Sequence, residues 1–384
     1  MENSPTLDEK RDALRRKLAS HRSLPEYLLD GVGAALQRLF NPTEVKKRAK
    51  FLPEDASGQD HESFPSVWIT GAVIASITLL IGGVVAALSR SPLNGEEFRL
   101  SAWAATAGAL ALIANKYNIR TFLNTFRDSC IDKMQREKDI DDLGRWLDAQ
   151  FSLWPPLFWG VLIGPLLGGA LYFFWLRNHP GAVFHIGPFV TVILSFIQAV
   201  WVGYYLIPFY LNFPLRLNRY EFDLYTLDPS SSELVGRLSR LLSYAFYVTM
   251  AYIVQLTFGL TFIGVLTTET PVPGFLVSAL VWVPTVIMFI SGQLDLSNLI
   301  TRAKWKTLNE VQARIERLSA AQDLPDKDTL ERLGKLMDYH DRIEATPNSA
   351  LNFRSGLNFL NSLLLPVLAF LIGNLKDVIG FFKN

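Results

Sequence analysis

The side chains able to do chemistry are few in this 384-residue chain, and they do not gather along the sequence. The imidazole and thiol groups are five histidines (His21, His61, His179, His185 and His340) and one cysteine, Cys130. Only His179 and His185 lie close together, and two imidazoles make a poor zinc site because catalytic zinc takes three protein ligands. His61-Glu62 lacks the second histidine of a zinc-binding helix. Cys130 falls on an apolar helical face and reads as a small packed residue. A single cysteine also excludes an intrachain disulfide and with it a disulfide-stapled secreted fold. No Gly-x-x-x-x-Gly-Lys phosphate loop, Gly-x-Gly-x-x-Gly turn or Gly-x-Ser-x-Gly nucleophile elbow is present. The expectation is therefore no catalytic residue, no cofactor and no metal. A lipid-directed enzyme would need carboxylates such as Glu221, Asp223 and Asp295 to gather at one membrane interface.

What the apolar stretches do hold is neutral and polar. Gln198 and Gln255 fall near the middle of two such stretches that run in opposite directions, hence at similar depth. An interhelical hydrogen bond is the ordinary role of such a group in lipid, and lining a hydrated constriction is the functional one. Gly160, Gly164 and Gly168 form two overlapping Gly-x-x-x-Gly units, which let a neighbouring helix approach closely. That neighbour belongs either to the same chain or to a second copy. Pro165 beside them frees a backbone carbonyl. Ala104, Gly108 and Ala111 show similar spacing. A third set, Arg219, Glu221 and Asp223, lies in a charged loop and is a candidate contact for a soluble partner.

These residues must be positioned by long apolar helices. The chain is 49% hydrophobic, 12% aromatic and 19% charged, with mean hydropathy +0.20. A bilayer crossing takes about 20 mostly apolar residues. Ser66–Leu88, Phe151–Leu176, Gly187–Leu211, Leu242–Leu266 and Pro273–Gly292 meet that length. Leu100–Ala114 is short and alanine-rich, and Leu357–Gly373 is borderline. Residues 1–65 lack the apolar core of a signal peptide, so the first span is expected to stay uncleaved.

Cation placement supplies the topology. Lys and Arg number 11 in residues 1–65, 7 in 115–150, 4 in 212–241 and 10 in 293–355, with only Arg90, Arg99 and Arg177 between these segments. Under the positive-inside rule the N-terminus is cytoplasmic and six spans precede residue 293, with Leu100–Ala114 required as the second. Leu357–Gly373 is expected to cross as a seventh. Trp154, Trp175, Tyr204, Tyr205, Tyr210, Tyr244 and Tyr247 mark span ends, where amphipathic rings sit at the interface. Acids match the cations in each inside segment, and the net charge is +1. No basic arm for nucleic acid is concealed.

The expected fold is all-α: a polytopic helical membrane protein of six spans plus a seventh C-terminal hydrophobic segment. Residues 1–65 form a cytoplasmic N-terminal helical segment. Residues 66–292 form the six-span region, with cytoplasmic helices at 115–150 and 212–241. Residues 293–355 form a helical hairpin, and 356–384 a membrane segment and tail. Proline is absent from Ser101 to Trp154 and from Thr285 to Leu324, so spans two and six can continue into cytoplasmic helices. One of these would carry Ile119, Phe122, Phe126 and Cys130 on a single face. The hairpin seam is expected to pair Leu308, Val311, Ile315 and Leu318 with Leu330, Leu333, Met337 and Ile343. Ser230 with Glu233 fits a capping box. No Asp, Glu, Lys or Arg lies inside the six spans, which disfavours an ion-coupled carrier. The functional expectation is a channel-like or membrane-perturbing component of a bacterial inner membrane, controlled by its cytoplasmic helices. The alternative is an anchor or scaffold recruiting a soluble cytoplasmic protein. The expected partners are the lipid bilayer, a second copy in a homo-oligomer and a cytoplasmic protein.

Overall fold

The computed structural model describes residues 6–40, 66–90, 94–179, 182–262, 271–320 and 327–349. Among them the protein is all-helical and without a strand. The expected C-terminal segment, Leu357–Gly373, and the tail lie outside the described residues.

The N-terminal helices are α1 (Leu7–Ser20) and α2 (Leu24–Phe40). Then come α3 (Val67–Leu88) and α4 (Gly95–Thr125). A π turn at Phe126–Cys130 and a 3-10 turn at Ile131–Lys133 lead to α5 (Glu137–Gln150). Two apolar helices follow, α6 (Trp154–Asn178) and α7 (Ile186–Ile207). A second π turn at Pro208–Asn212 joins α7 to the short α8 (Phe213–Leu217). The last three helices are α9 (Glu233–Phe262), α10 (Pro271–Ala320) and α11 (Lys327–Glu344).

Three of the described helical runs are long and apolar enough to cross a membrane: Val67–Leu88, Trp154–Asn178 and Ile186–Leu217. Their outer faces carry large bare side chains such as Leu80, Phe158, Val161 and Leu166. The sequence led us to expect six or seven spans, and among the described residues only these three meet the criterion; α4, expected as the second span, differs from them in composition. Its central residues are buried by protein on most sides, Ala104, Ala105, Ala107, Gly108, Ala109 and Ala111 among them. A helix enclosed by other helices is selected for small size, not for apolar bulk.

The centre of the bundle is α7. Its residues at 193, 197 and 201 meet Gly168, Gly164 and Gly160 of α6, so these two helices are antiparallel. A Cβ on Gly164 would come within 2.8 Å of the Ile197 Cα, and one on Gly168 within 3.0 Å of the Ile193 Cα. On another side α7 touches α3, where a Cβ on Gly187 would come within 2.7 Å of the Gly82 carbonyl oxygen. On a third it runs beside α4, where a Cβ on Gly108 would lie 3.3 Å from the Ser195 Cα. Small residues thus admit backbone-to-backbone approach on three sides of one helix.

Beyond the bundle, a polar lobe is built around an aromatic cluster. Phe122 stacks on Phe126 at 4.8 Å, and Phe209 and Phe213 meet them edge-on at 4.6 and 4.5 Å. Trp146 of α5 closes the cluster against Phe209 at 5.3 Å. Edge-to-face and offset pairs of this kind add to the apolar burial itself. Both π turns lie here, and each adds a residue that turns rings inward. Helix α1 packs Leu14 and Leu18 into the same core. It is tied to α5 by Lys10–Asp141 at 2.9 Å and by Lys17–Asp148, and to the 3-10 turn by Arg15–Asp132.

Three expectations change. The helix expected over 115–150 runs only to Thr125; the π and 3-10 turns then redirect the chain into α5, because Phe126 and Cys130 must both face the core. Ser230 is drawn into a local turn by the Asp228 carboxylate, so α9 starts at Glu233 without the expected box. On the hairpin, Leu308, Val311 and Ile315 pack on Leu336, Tyr339 and Ile343, whereas Leu330 and Met337 are exposed. The facing helix is therefore rotated from the expected phase. Helix α2 lies along α3 and α4, with Leu29 in one core cluster with Ile74 and Leu112.

Replacing Gly164 by valine should force α6 and α7 apart and destabilise the bundle by about 1–3 kcal/mol, the usual effect of overpacking. Gly203, with nothing within 4 Å of a Cβ, should accept alanine without loss. Thermal unfolding of both variants in one detergent checks the contrast.

Candidate functional site

Gln198 is buried in the seam of α3, α4 and α7. Its amide donates to the Thr78 hydroxyl at 3.3 Å, and its Oε1 has no hydrogen-bond partner among the described residues. Gln255 lies on α9, half-buried, and its Oε1 is likewise unpartnered. Gln198 bonds Thr78 rather than Gln255. Gly160, Gly164 and Gly168 are brought together as one face, and that face is occupied by α7 of the same chain.

The loop carrying Arg219, Glu221 and Asp223 is stitched to the start of α5. The Gln135 N–H donates to the Glu221 carbonyl at 3.0 Å, the Glu221 N–H to Asp139 at 2.9 Å and the Asp223 N–H to the Lys133 carbonyl at 2.7 Å. The Glu221 carboxylate bridges Arg136 at 2.5 Å and Lys306 of α10 at 2.6 Å. The Lys306 ammonium, with Arg136 beside it, holds that carboxyl below the ordinary value of 4.5. The loop and α10 enclose an open polar cleft of about 380 Å³, lined by Arg219, Glu221, Asp223, Arg302, Lys306 and Glu310 among others. Arg219, Asp223 and Arg302 are exposed in it.

Asp295 lies a turn beyond the apolar part of α10 and is buried. The Asn218 amide donates to its Oδ1 at 2.8 Å, and its Oδ2 has no partner among the described residues. Burial pushes this carboxyl above its ordinary value of 3.8. Glu221 and Asp295 are thus engaged in separate pairings, the first with two cations and the second with an amide.

Several residues overlooked in the sequence hold the parts together. Glu26 is fully buried, forms a reciprocal box with Ser23 and pairs with Arg120 of α4 at 2.5 Å. Burial raises its carboxyl, and Arg120 opposes the shift. Glu97 is equally buried. It forms a box with Asn94 and meets the His185 Nδ1 at 2.5 Å, joining the starts of α4 and α7. The Ser-x-x-Glu and Asn-x-x-Glu spacings were the available signal. Buried Lys304 donates to the carbonyls of Glu344 and Thr346 at 2.7 and 2.8 Å and to the Asn348 side chain at 3.1 Å. Its partners lie some 40 positions away, and no local pattern announces them.

His179 and His185 take different partners, the Trp175 carbonyl and Glu97. His340, Asp341 and Glu344 bring ligand atoms within 4.8 Å of one another. They sit on an outer face of α11, where such groups pair as ordinary surface charges. The chain matches no protein-family model, no curated protein and no solved structure.

The raised value of Asp295 means that the folded protein binds this proton more tightly than the unfolded chain. Its contribution to stability is greatest at low pH and falls as pH rises from about 3.8 through the folded value. Asp295→Asn should therefore raise the melting temperature at pH 7 and leave it unchanged at pH 3. Lys304→Met should weaken the hairpin closure by about 1–3 kcal/mol through lost hydrogen bonds, read as faster hydrogen exchange over 327–349.

Proposed function

We propose that the protein is a multi-pass protein of a bacterial inner membrane, with a cytoplasmic N-terminus, acting as a channel-like or membrane-perturbing component under control of its cytoplasmic helices. In this reading α3, α4, α6, α7, α9 and α10 are the six crossings, and Leu357–Gly373 supplies a seventh. The alternating directions of α3, α4, α6 and α7 support it. They put α1, α5 and the 212–241 segment, which together carry 11 cations, at one end of the bundle.

The observation that carries the control element is helix continuity. Helix α4 passes without a break from the bundle to Phe122 in the lobe core, and α10 is a single helix of 50 residues, about 75 Å long. Movement of the lobe would reach two spans without a flexible joint. The chain also returns to the bundle. The Ser297 hydroxyl donates to the Asn348 carbonyl at 2.6 Å, so residue 348 lies beside α10 just beyond its apolar part.

One observation favours the anchor reading. The contacts of α6, α3 and α4 on α7 are closed, whereas the cleft beside Arg219 and Arg302 is open and suits a charged soluble partner. Outward apolar surface leaves room for a homo-oligomer in either case.

Planar-bilayer recording separates the two. The channel reading expects conductance, altered by Asn298→Pro, which breaks α10 just outside the bundle at a helical cost of about 3 kcal/mol. A silent bilayer with the lobe still binding a soluble protein would favour the anchor. Topology has a separate check. Cys130 is buried and its thiol is pushed well up by burial, so added cysteines at Asn94 and Arg302 should label alone, from opposite faces.

A further inference from the structure

The face of α4 turned toward α7 carries Glu97, Ser101, Gly108 and Asn115. Spacings of four, seven and seven keep these residues in one line on a 3.6-residue helix. From 97 to 115 the helix rises about 27 Å, close to the roughly 30 Å of a bilayer's hydrocarbon core. The line is polar at both ends. Glu97 meets His185 at one, and at the other the Asn115 amide donates to the Ser23 hydroxyl at 3.4 Å, within the box that holds Glu26.

Between those ends the polar atoms are not satisfied. Ser101 Oγ, Gln198 Oε1 and Asn115 Oδ1 each lack a hydrogen-bond partner among the described residues, as does Asn118 Oδ1 one turn further on. All four residues are more than nine-tenths buried. Gln198 Oε1 stands over Gly108, where a Cβ would come within 2.6 Å of it. The space beside α4 is therefore used by a polar group. Thr78, Thr191 and Ser195 border the same seam, each hydroxyl donating to its own helix and keeping lone pairs free.

The chemistry of the orphaned atoms restricts what can meet them. Three are amide carbonyl oxygens, which need a donor, and the fourth is a hydroxyl, which can donate or accept, so a group able to do both fits all four. Ser101, Gly108 and Asn115 are spaced about 10 Å apart along the helix. They cannot share one ion, and a single oxygen is too small a ligand set for a hard cation. Water fits each position, since buried water characteristically bonds otherwise unsatisfied polar groups. We propose that the polar face of α4, in its seam with α3 and α7 and one turn beyond it, holds separate internal water molecules bound at Ser101, Gln198, Asn115 and Asn118. The inference does not rest on the channel reading: a hydrated seam is compatible with an anchor as well.

X-ray radiolytic labelling of the purified full-length protein tests it, because radicals formed from bound water oxidise the side chains beside it. The expected result is oxidation of Leu112, fully buried beside this line, above that of Phe126 and Phe213, which are as enclosed but sit in the apolar cluster. Gln198→Leu should reduce the Leu112 signal. Ser101→Ala should melt below the wild type, since a bound water loses a partner. In a dry seam that change deletes an orphaned hydroxyl and leaves melting unchanged or raised. Leu112 oxidation no greater than that of Phe126, or a Ser101→Ala protein that melts no lower than wild type, overturns the proposal.

Discussion

Helix α7 can touch three helices at once only because small residues stand at each contact. In lipid the hydrophobic effect does not drive helices together, and association depends on dispersion, hydrogen bonds and close fit. Gly160, Gly164 and Gly168 let α6 settle against the backbone at Ile197 and Ile193. Gly82 and Gly187 do the same for α3, and Gly108 for α4. Each approach fixes the height of one helix against α7. The depth of Glu97, Gln198 and Asn115 follows from that registration. A larger side chain at any of these points would displace a whole helix, and the polar contacts at both ends of the seam with it.

The lobe inherits its position from the same bundle. Helix α4 delivers Phe122 to the aromatic cluster, and the π turn after α7 delivers Phe209 and brings Phe213 behind it. The two strands of connection therefore converge on one packed core. Charged pairs then orient its shell: α1 on α5, Glu26 on Arg120, and Glu221 between Arg136 and Lys306. Apart from Glu26, which is buried, these pairs are partly or largely exposed and contribute little individually. Their role here is registration, with the buried aromatic rings supplying most of the cohesion.

How far the sequence could be read depended on whether a feature was local. Helical periodicity, the glycine spacing of α6 and the continuity of α4 and α10 are all written within short windows. Ile343 lies in the 308–343 seam as expected, but both faces of α11 carry leucine or methionine, and only contact with α10 chooses Leu336 and Tyr339 over Leu330 and Met337. The break after Thr125 was hidden because a π turn needs neither glycine nor proline. The Asn94-x-x-Glu97 box is local, yet the partner of Glu97, His185, lies 88 positions away. Separation of that kind is invisible to spacing arguments. Helix α4 is alanine-rich, and the structure gives the reason: it is enclosed by protein along much of its length, where small residues allow close approach.

The Lys304 clamp bears on the order in which the protein can be completed during synthesis. Its ammonium is buried by groups from residues 344 to 348. Until the ribosome has released that segment, an unpaired lysine would stand at the middle of the hairpin, where burial of a bare charge is costly. The bundle of α3, α4, α6 and α7, by contrast, is closed by contacts among residues made much earlier. Helix α1 must also wait for α5, more than a hundred residues downstream, before its lysines and arginines find their acids. The lobe is therefore finished late, after the bundle it rests on, and its closure records that residues 344–348 have been made.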